Sequence, residues 1–477
     1  MKAKFECDVC GHIHEADEKW KDREDGWKCP TCESDKSYFK ITTVVRDKGK
    51  ETEAVNIGVH IPKESPIAEY VDAITEMAET GKSIIEPMCS TIPTLSWNDL
   101  LIKGAQAAKI PLNDDVPVNT KTVVGPRALT PLEIETPIYI THMSFGALSR
   151  EAKIALAKGS AAAKTAMCSG EGGILQESLD NAYKYILELV PNQYSATEEN
   201  LKKVDAVEIK IGQSAKPGMG GHLPSEKVTE EIAEVRGFQK GKEIISPAHF
   251  PDITSKEQLR AKVQWLREKT GGKPIGIKIA AGNIEDDLDV VVYAEPDFIT
   301  IDGRPGATAA SPKYVKDATS IPTVPALYRA RKYLDAHKIK DISLIITGGL
   351  RVSSDFAKAL AMGADAIAIG TAALIACGCR QYRICHTGKC PTGLTAQDKN
   401  LRKRVDIDKS AKQLANFLNV CTEELRCFAR LTGNKDVHNL SMLDLCTTST
   451  EISDYTEIQH VFETLEEVTQ WVRLKKI

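Results

Sequence analysis

The chain has 477 residues, 42% hydrophobic and 27% charged, which suits a soluble globular protein with a sizeable core. A net charge of −4 and a pI of about 6.3 leave no electrostatic case for nucleic acid or an anionic membrane surface. The opening MKAKFECDVCG lacks an apolar signal run and no stretch approaches ~18 apolar residues, so a cytoplasmic protein is expected. In a reducing compartment its 13 cysteines, where clustered, point to metal rather than disulfides.

The first cluster is Cys7-x2-Cys10 and Cys29-x2-Cys32, with eighteen residues between the two knuckles. Two such turns can supply four thiolates to one tetrahedral ion, iron or zinc. Gly11 follows the first knuckle, Pro30 lies inside the second, and Phe5, Trp20, Trp27 and Phe39 are interleaved. With these residues the stretch resembles a short-loop rubredoxin, departing from it at His12 and His14, where that family carries aromatics. The resemblance implies an iron domain over 1–42 held by Cys7, Cys10, Cys29 and Cys32, with zinc as the alternative. So short a segment builds little core, and the metal must supply much of its stability.

A linker with a helix at 65–80 fills 43–85. Eight short apolar strands are then predicted at 137–144, 165–170, 205–212, 243–247, 275–282, 297–303, 342–349 and 364–370, with helices such as 149–163, 256–269, 326–337 and 354–362 between them. Eight alternating units predict a parallel (β/α)8 TIM barrel over 86–445, with its active site at the C-terminal strand ends. TGGLRVSSD (347–355) and GTAAL (370–374) put glycine amides before helix starts after the last two strands, the usual phosphate position in this architecture. Such a site without a nucleotide-binding helix pattern suggests FMN. Lys278 stands in phase within the apolar strand IGIKIAAG, so it should point into the barrel mouth, unpaired until it meets the electron-rich edge of a flavin.

The motifs MSFGALS (143–149), SGEGG (169–173), IGQSAKPGMGGHLPSEKV (211–228), ISPAH (245–249), ASPKY (310–314), TGGL (347–350) and GC-x5-C-x4-CPTGL (378–394) occur in order. Together they closely resemble the FMN-binding synthase domain of the glutamate synthase family. In that family the C-x5-C-x4-C cysteines hold a 3Fe–4S cluster beside the flavin, which implies Cys379, Cys385 and Cys390 as ligands in a loop at 377–393. Cys377 is an extra cysteine that should pack, and His386 should support the loop without ligating. The five remaining cysteines, Cys89, Cys168, Cys421, Cys427 and Cys446, read as small buried hydrophobes.

The resemblance also implies flavin contacts at Met143, Ser144 and Gly172, at Lys210 and Gln213, and at Lys278, Asp302 and Gly303. Gly348, Gly349, Gly370 and Thr371 complete that set. Gln213, Lys216 and Arg236 fall where the family grips the two carboxylates of 2-oxoglutarate, and His222 stands where glutamine is usual. Glu171 matches a residue on the ammonia side of the site and pairs with Lys278 as the catalytic set; a helix N-cap carboxylate is the alternative for it. Arg304 and Pro305 alter a mouth loop at 302–312.

The implied activity is formation of L-glutamate by reductive amination of 2-oxoglutarate. Electrons would be relayed from the rubredoxin iron through the 3Fe–4S cluster to FMN. Neither an amidotransferase domain nor a Gly-x-Gly-x-x-Gly pyridine-nucleotide unit is recognised, so ammonia, free or glutamine-derived, and electrons would come through separate subunits of an oligomer. The alternatives are a related subunit acting on another amine, of N-methylglutamate type, and an electron-transfer flavoprotein subunit. Residues 446–477 read as a C-terminal tail.

Overall fold

The computed structural model describes residues 2–7, 9–17, 19–20, 26–45 and 67–463. At the N-terminus β1 (Lys2–Cys7) is the central strand of an antiparallel sheet between β2 (Ile13–Asp17) and β3 (Phe39–Val45). The register sets Phe5 opposite His14 and Cys7 opposite Phe39, so the aromatic core grows directly beside the cysteines. Trp20 lies 4.9 Å from Phe5, 4.9 Å from Trp27 and 5.4 Å from Phe39 between ring centroids. His14 joins this cluster, 4.3 Å from Trp20 and 4.7 Å from Trp27, and thereby does the packing of the aromatic it replaces.

The barrel closes from β4 (Ile138–Ile140), β5 (Ala166–Cys168), β6 (Lys184–Leu189), β7 (Ala206–Lys210), β8 (Ile275–Ala280), β9 (Phe298–Asp302), β10 (Ser343–Thr347) and β11 (Ala366–Ile369). Each strand pairs in parallel with the next in chain order, and β11 returns to β4. The expected (β/α)8 barrel is therefore the fold, with one strand corrected. The predicted strand at 243–247 is outside the barrel: only Ile244–Ile245 is extended, pairing antiparallel with His222–Leu223 beside the mouth. Its place is taken by β6, where Glu188 breaks the apolar run KYILEL yet is buried.

Helices pack around the strands where caps and apolar spacing allow. The main ones are α1 (Val71–Thr80), α2 (Arg150–Ala162), α3 (Glu230–Arg236), α4 (Lys256–Thr270), α5 (Thr323–Ala336), α6 (Ser353–Ala361), α7 (Thr371–Ala376) and α8 (Ile407–Leu431). The predicted helix at 65–80 is α1 preceded by a 3-10 turn at Ala68–Tyr70, its first two residues lying outside the described ones. Ser149 and Ser255 cap α2 and α4 by accepting the amides of Ala152 and Gln258.

Lys153 on α2 is fully buried, and its Nζ donates to the carbonyls of Met143, Cys168 and Ser169 at 2.8–3.0 Å, stitching together the ends of β4 and β5. Of the scattered cysteines, Cys168 and Cys421 are buried as expected, Cys89 and Cys446 only half-buried, and Cys427 is exposed on α8. From Leu445 the chain pairs with Leu100–Ile102, and Ile452 and Ile458 are buried.

Candidate active site

A cavity of about 820 Å³ opens at the C-terminal ends of the barrel strands. Met143, Ser144, Lys210, Gln213, Lys278, Asp302, Gly348, Gly349, Gly370 and Thr371 all line it. Glycine is required at the turn after β10. A Cβ on Gly348 would come within 2.4 Å of the Gly303 carbonyl oxygen, and one on Gly349 within 2.3 Å of Pro305. Gly172 and Gly303 are not among the lining residues. Each lets a side chain in: a Cβ there would meet Arg236 Nη2 at 2.7 Å and Thr323 Oγ1 at 2.2 Å. Asp302 is occupied by Ser214, accepting its amide at 2.9 Å and its hydroxyl at 3.0 Å. Arg304 turns away from the cavity to the carbonyls of Thr319 and Asp317, whereas Pro305 lines it.

The cavity floor corrects the picture of Lys278. It is buried and lines the cavity, yet it is not unpaired: its ammonium donates to Glu188 and lies 3.8 Å from Glu208. His142 Nε2 lies 2.9 Å from Glu208, and Thr300 donates to the same carboxylate. Burial opposes ionisation of Glu188, but His142 and Lys278 hold its carboxyl far below the usual range. Burial likewise disfavours the charged form of Lys278, and Glu188 and Glu208 outweigh it, so the ammonium is retained. Glu188 sits on the strand the sequence reading passed over, so this partner went unseen. The β-branched and aromatic character of YILELV, ending at Pro191, was the available signal.

One wall carries a second ionic set. Glu171 accepts from Lys210 Nζ and from Ser246 Oγ, both at 2.5 Å. A Cβ on Gly221 would clash with its carboxylate at 1.9 Å, so glycine is needed there. Glu171 caps no helix; it lies in a turn ahead of the helix at 176–181. Burial pushes its pKa up, but Lys210 and Ser246 outweigh that and leave it at about 2.

Lys216 and Arg236 are both buried and both line the cavity. Lys216 Nζ donates to the Gly220 carbonyl at 2.9 Å, and burial next to Lys210 lowers its pKa to about 8. Arg236, at the end of α3, donates through Nη2 to the carbonyls of Phe145 and Glu171 and lies over Tyr194, while its buried Nε has no partner. His222 reaches the rim half exposed, with Nε2 held 3.0 Å from Glu243.

The two cysteine sets differ in geometry. Cys7, Cys10, Cys29 and Cys32 converge, with all four sulfurs within 4.8 Å of one another. Cys7 and Cys32 are 3.7 Å apart and Cys10 and Cys29 3.6 Å, against an edge of about 3.8 Å for a tetrahedron with metal–sulfur bonds of ~2.3 Å. Cys379, Cys385 and Cys390 line one side of the barrel cavity but do not converge in this way. The Gln381 amide donates to Cys379 Sγ at 3.4 Å, and Cys390 Sγ lies 3.1 Å from the Thr392 hydroxyl. Cys377 is buried, its thiol pushed up to about 12 by burial. His386 lines the cavity with a buried Nδ1 that has no partner. Lys227, to which the sequence reading gave no role, donates to the Cys385 carbonyl at 3.0 Å and lines the same cavity.

Residues 94–435 match the conserved region in glutamate synthase. The chain belongs to the glutamate synthase family. It is 36% identical over 382 residues to a glutamate synthase large subunit-like protein of Rhizobium meliloti, covering 76% of this chain and 86% of that one. An archaeal-type glutamate synthase (NADPH) of Thermotoga maritima is 34% identical over 423 residues, 81% of this chain and 83% of the relative. An archaeal glutamate synthase (NADPH) of Archaeoglobus fulgidus is 33% identical over 446 residues, 87% and 86%. This chain is thus a glutamate synthase-like oxidoreductase built on a TIM barrel, with a four-cysteine site suited to metal. Among its described residues no helix is long and apolar enough to cross a membrane.

Proposed function

We propose that this enzyme forms L-glutamate by reductive amination of 2-oxoglutarate at FMN. A 3Fe–4S cluster would be held by Cys379, Cys385 and Cys390, and one iron by Cys7, Cys10, Cys29 and Cys32. The observation that carries the reading is the pair Lys216 and Arg236: two buried cations on one cavity, each with donors left over for a ligand. Two such groups suit a dicarboxylate, each cation taking one carboxylate through charge-assisted hydrogen bonds.

The cavity volume and the glycine turn after β10 accommodate a flavin, with Gly348, Gly349, Gly370 and Thr371 available near its phosphate. Three thiols lining one side of the cavity without converging on a single point support the cluster reading over a single ion. When bound, FMN supplies a hydride acceptor and donor that also takes up single electrons from the iron centres. The chain's own residues then orient and hold charge. Glu171, ionised at any physiological pH, accepts hydrogen bonds from the incoming ammonium or imine nitrogen. Lys278, kept protonated by Glu188 and Glu208, would offer an N–H donor at the cavity floor to a bound flavin. Ammonia, free or from a glutamine amidotransferase subunit, and a separate electron donor complete the reaction.

His222, tied to Glu243 at the rim, favours a second reading in which the amine differs, giving an N-methylglutamate-type product. The test is reoxidation of the reduced flavin by 2-oxoglutarate with ammonia or with methylamine, followed by product analysis. Reoxidation with ammonia and glutamate as product supports the first reading, and a response to methylamine alone supports the second. No response to 2-oxoglutarate with flavin and iron centres intact defeats both and leaves an electron-transfer subunit.

A further inference from the structure

We propose that Arg404 and Tyr382 form a latch that seats the second knuckle of the N-terminal domain on the cysteine loop of the barrel, fixing the separation across which electrons pass between the two metal centres. The inference rests on the proposed iron relay for its purpose, though not for its geometry.

The contact is made by backbone carbonyls of three consecutive knuckle residues. Arg404 Nη1 donates to the Cys32 carbonyl at 3.0 Å and to the Pro391 carbonyl at 3.0 Å, and Nη2 to the Glu33 carbonyl at 3.3 Å. Tyr382 Oη donates to the Thr31 carbonyl at 3.4 Å. Cys32 belongs to the N-terminal thiol set, and Pro391 directly follows Cys390 of the barrel set. One guanidinium therefore ties the main chain of both ligand-bearing segments, a task that needs a planar fork with several donors and that a lysine cannot reproduce.

Three further observations converge there. Ile384, between Tyr382 and Cys385, packs on the apolar cluster that contains Cys7, Cys29 and Cys32. Tyr382 sits on the loop between Cys379 and Cys385 and puts its hydroxyl on the carbonyl preceding Cys32, so its ring bridges the two ligand-bearing segments. Glu33 adopts φ of 58°, the left-handed region, at the position equivalent to Gly11 with φ of 72° in the first knuckle. A side chain has been accepted at a position that favours glycine, and the carbonyl of that residue is one the latch uses.

Each passage across this contact moves one electron: the N-terminal iron is oxidised by one and the barrel cluster reduced by one, with an external one-electron donor protein restoring the former. Arg404 lies outside the cavity lining and Tyr382 lines it beside the cysteine loop; both act as positioning residues.

The test uses the full-length, metal-loaded chain and its Arg404→Ala, Arg404→Lys and Tyr382→Phe variants. Arg404 is exposed, so its replacement leaves the barrel folded. Amide hydrogen exchange is expected to quicken at least tenfold in residues 29–34 and 382–391 of Arg404→Ala, with β10 unchanged. Rapid-mixing spectroscopy should then show the N-terminal iron passing its electron to the barrel at least tenfold more slowly. Metal content, and turnover with a small artificial reductant that reaches the flavin directly, should be unchanged. Arg404→Lys and Tyr382→Phe should fall between. Wild-type exchange in both segments of Arg404→Ala overturns the latch. Faster exchange with an unaltered transfer rate overturns its role in electron passage. If the wild-type N-terminal iron never reduces the barrel centre while exchange responds as expected, the relay reading fails and the latch stands.

Discussion

The N-terminal thiols and the barrel thiols are set in place by opposite means. Around Cys7 and Cys29 the geometry is local: the Gly11 amide returns to the Cys7 carbonyl at 2.8 Å, and the Glu33 amide to the Cys29 carbonyl at 2.8 Å. The sulfurs themselves form part of a small apolar core with Phe5, Trp20 and Phe39. Around Cys379, Cys385 and Cys390 the geometry is borrowed from afar. Lys227 holds the Cys385 carbonyl, Arg404 holds Pro391, and Arg383 reaches the Cys89 carbonyl at 2.9 Å. A metal site written in nearest-neighbour turns stands or falls with its ion, whereas one supported by a finished barrel can outlast the loss of its cluster.

The largest expected effect breaks that contrast at its root. Stripping metal with a chelator under reducing conditions should unfold residues 2–45, because the ion supplies most of what so small a core lacks. The barrel should keep its own calorimetric transition. Serine at Cys379, Cys385 or Cys390 should instead abolish only the cluster's EPR signal and leave the N-terminal iron absorption intact. A single transition lost on chelation would erase the distinction.

Lys278→Met comes next. It strands Glu188 and Glu208 in a buried site, which should cost about 3–5 kcal/mol in denaturant unfolding of the barrel. The N-terminal domain should not respond.

Arg236→Ala should weaken 2-oxoglutarate binding by roughly ten- to a hundredfold, the loss of one charge-assisted contact of about 1.5–3 kcal/mol, with flavin content unchanged. In the unaltered protein the same calorimetric titration should show a pH dependence. An anionic ligand needs Lys216 protonated, and its pKa is lowered to about 8, so affinity should fall as pH rises through that value. Affinity flat from pH 7 to 9 would remove Lys216 from the carboxylate site. The smallest effect is at Cys377→Ser, which should leave the cluster signal in place. Its loss would make Cys377 a fourth ligand and the two thiol sets more alike than the geometry suggests.

How much could be read beforehand follows the same division. The knuckles were legible because Cys-x2-Cys fixes both the turn and the convergence within four residues. The barrel was legible in seven of its strands, and the eighth was misplaced for a physical reason. β6 hides Glu188 in its interior, and a buried carboxylate is admissible only with a partner ninety residues away that no local window contains. EIISP carries two β-branched residues before a proline stop, yet it has only a two-residue partner strand to pair with. Arg236 and Lys216 were found through motif resemblance. Their unspent donors, and the role of Lys227 and Arg404 in holding the cysteine loop, depend on chain segments brought together only by folding.

Lys153 carries a consequence for traffic through the mouth. Because one ammonium binds carbonyls from the ends of both β4 and β5, the loops bearing Ser144 and Glu171 form a single stiff wall. Moving either loop would strand a buried ammonium. Entry and departure are therefore expected along the neighbouring rim, where Glu243 and His222 stand half open to water, and crowding that rim with larger side chains should slow ligand exchange while leaving equilibrium affinity nearly unchanged.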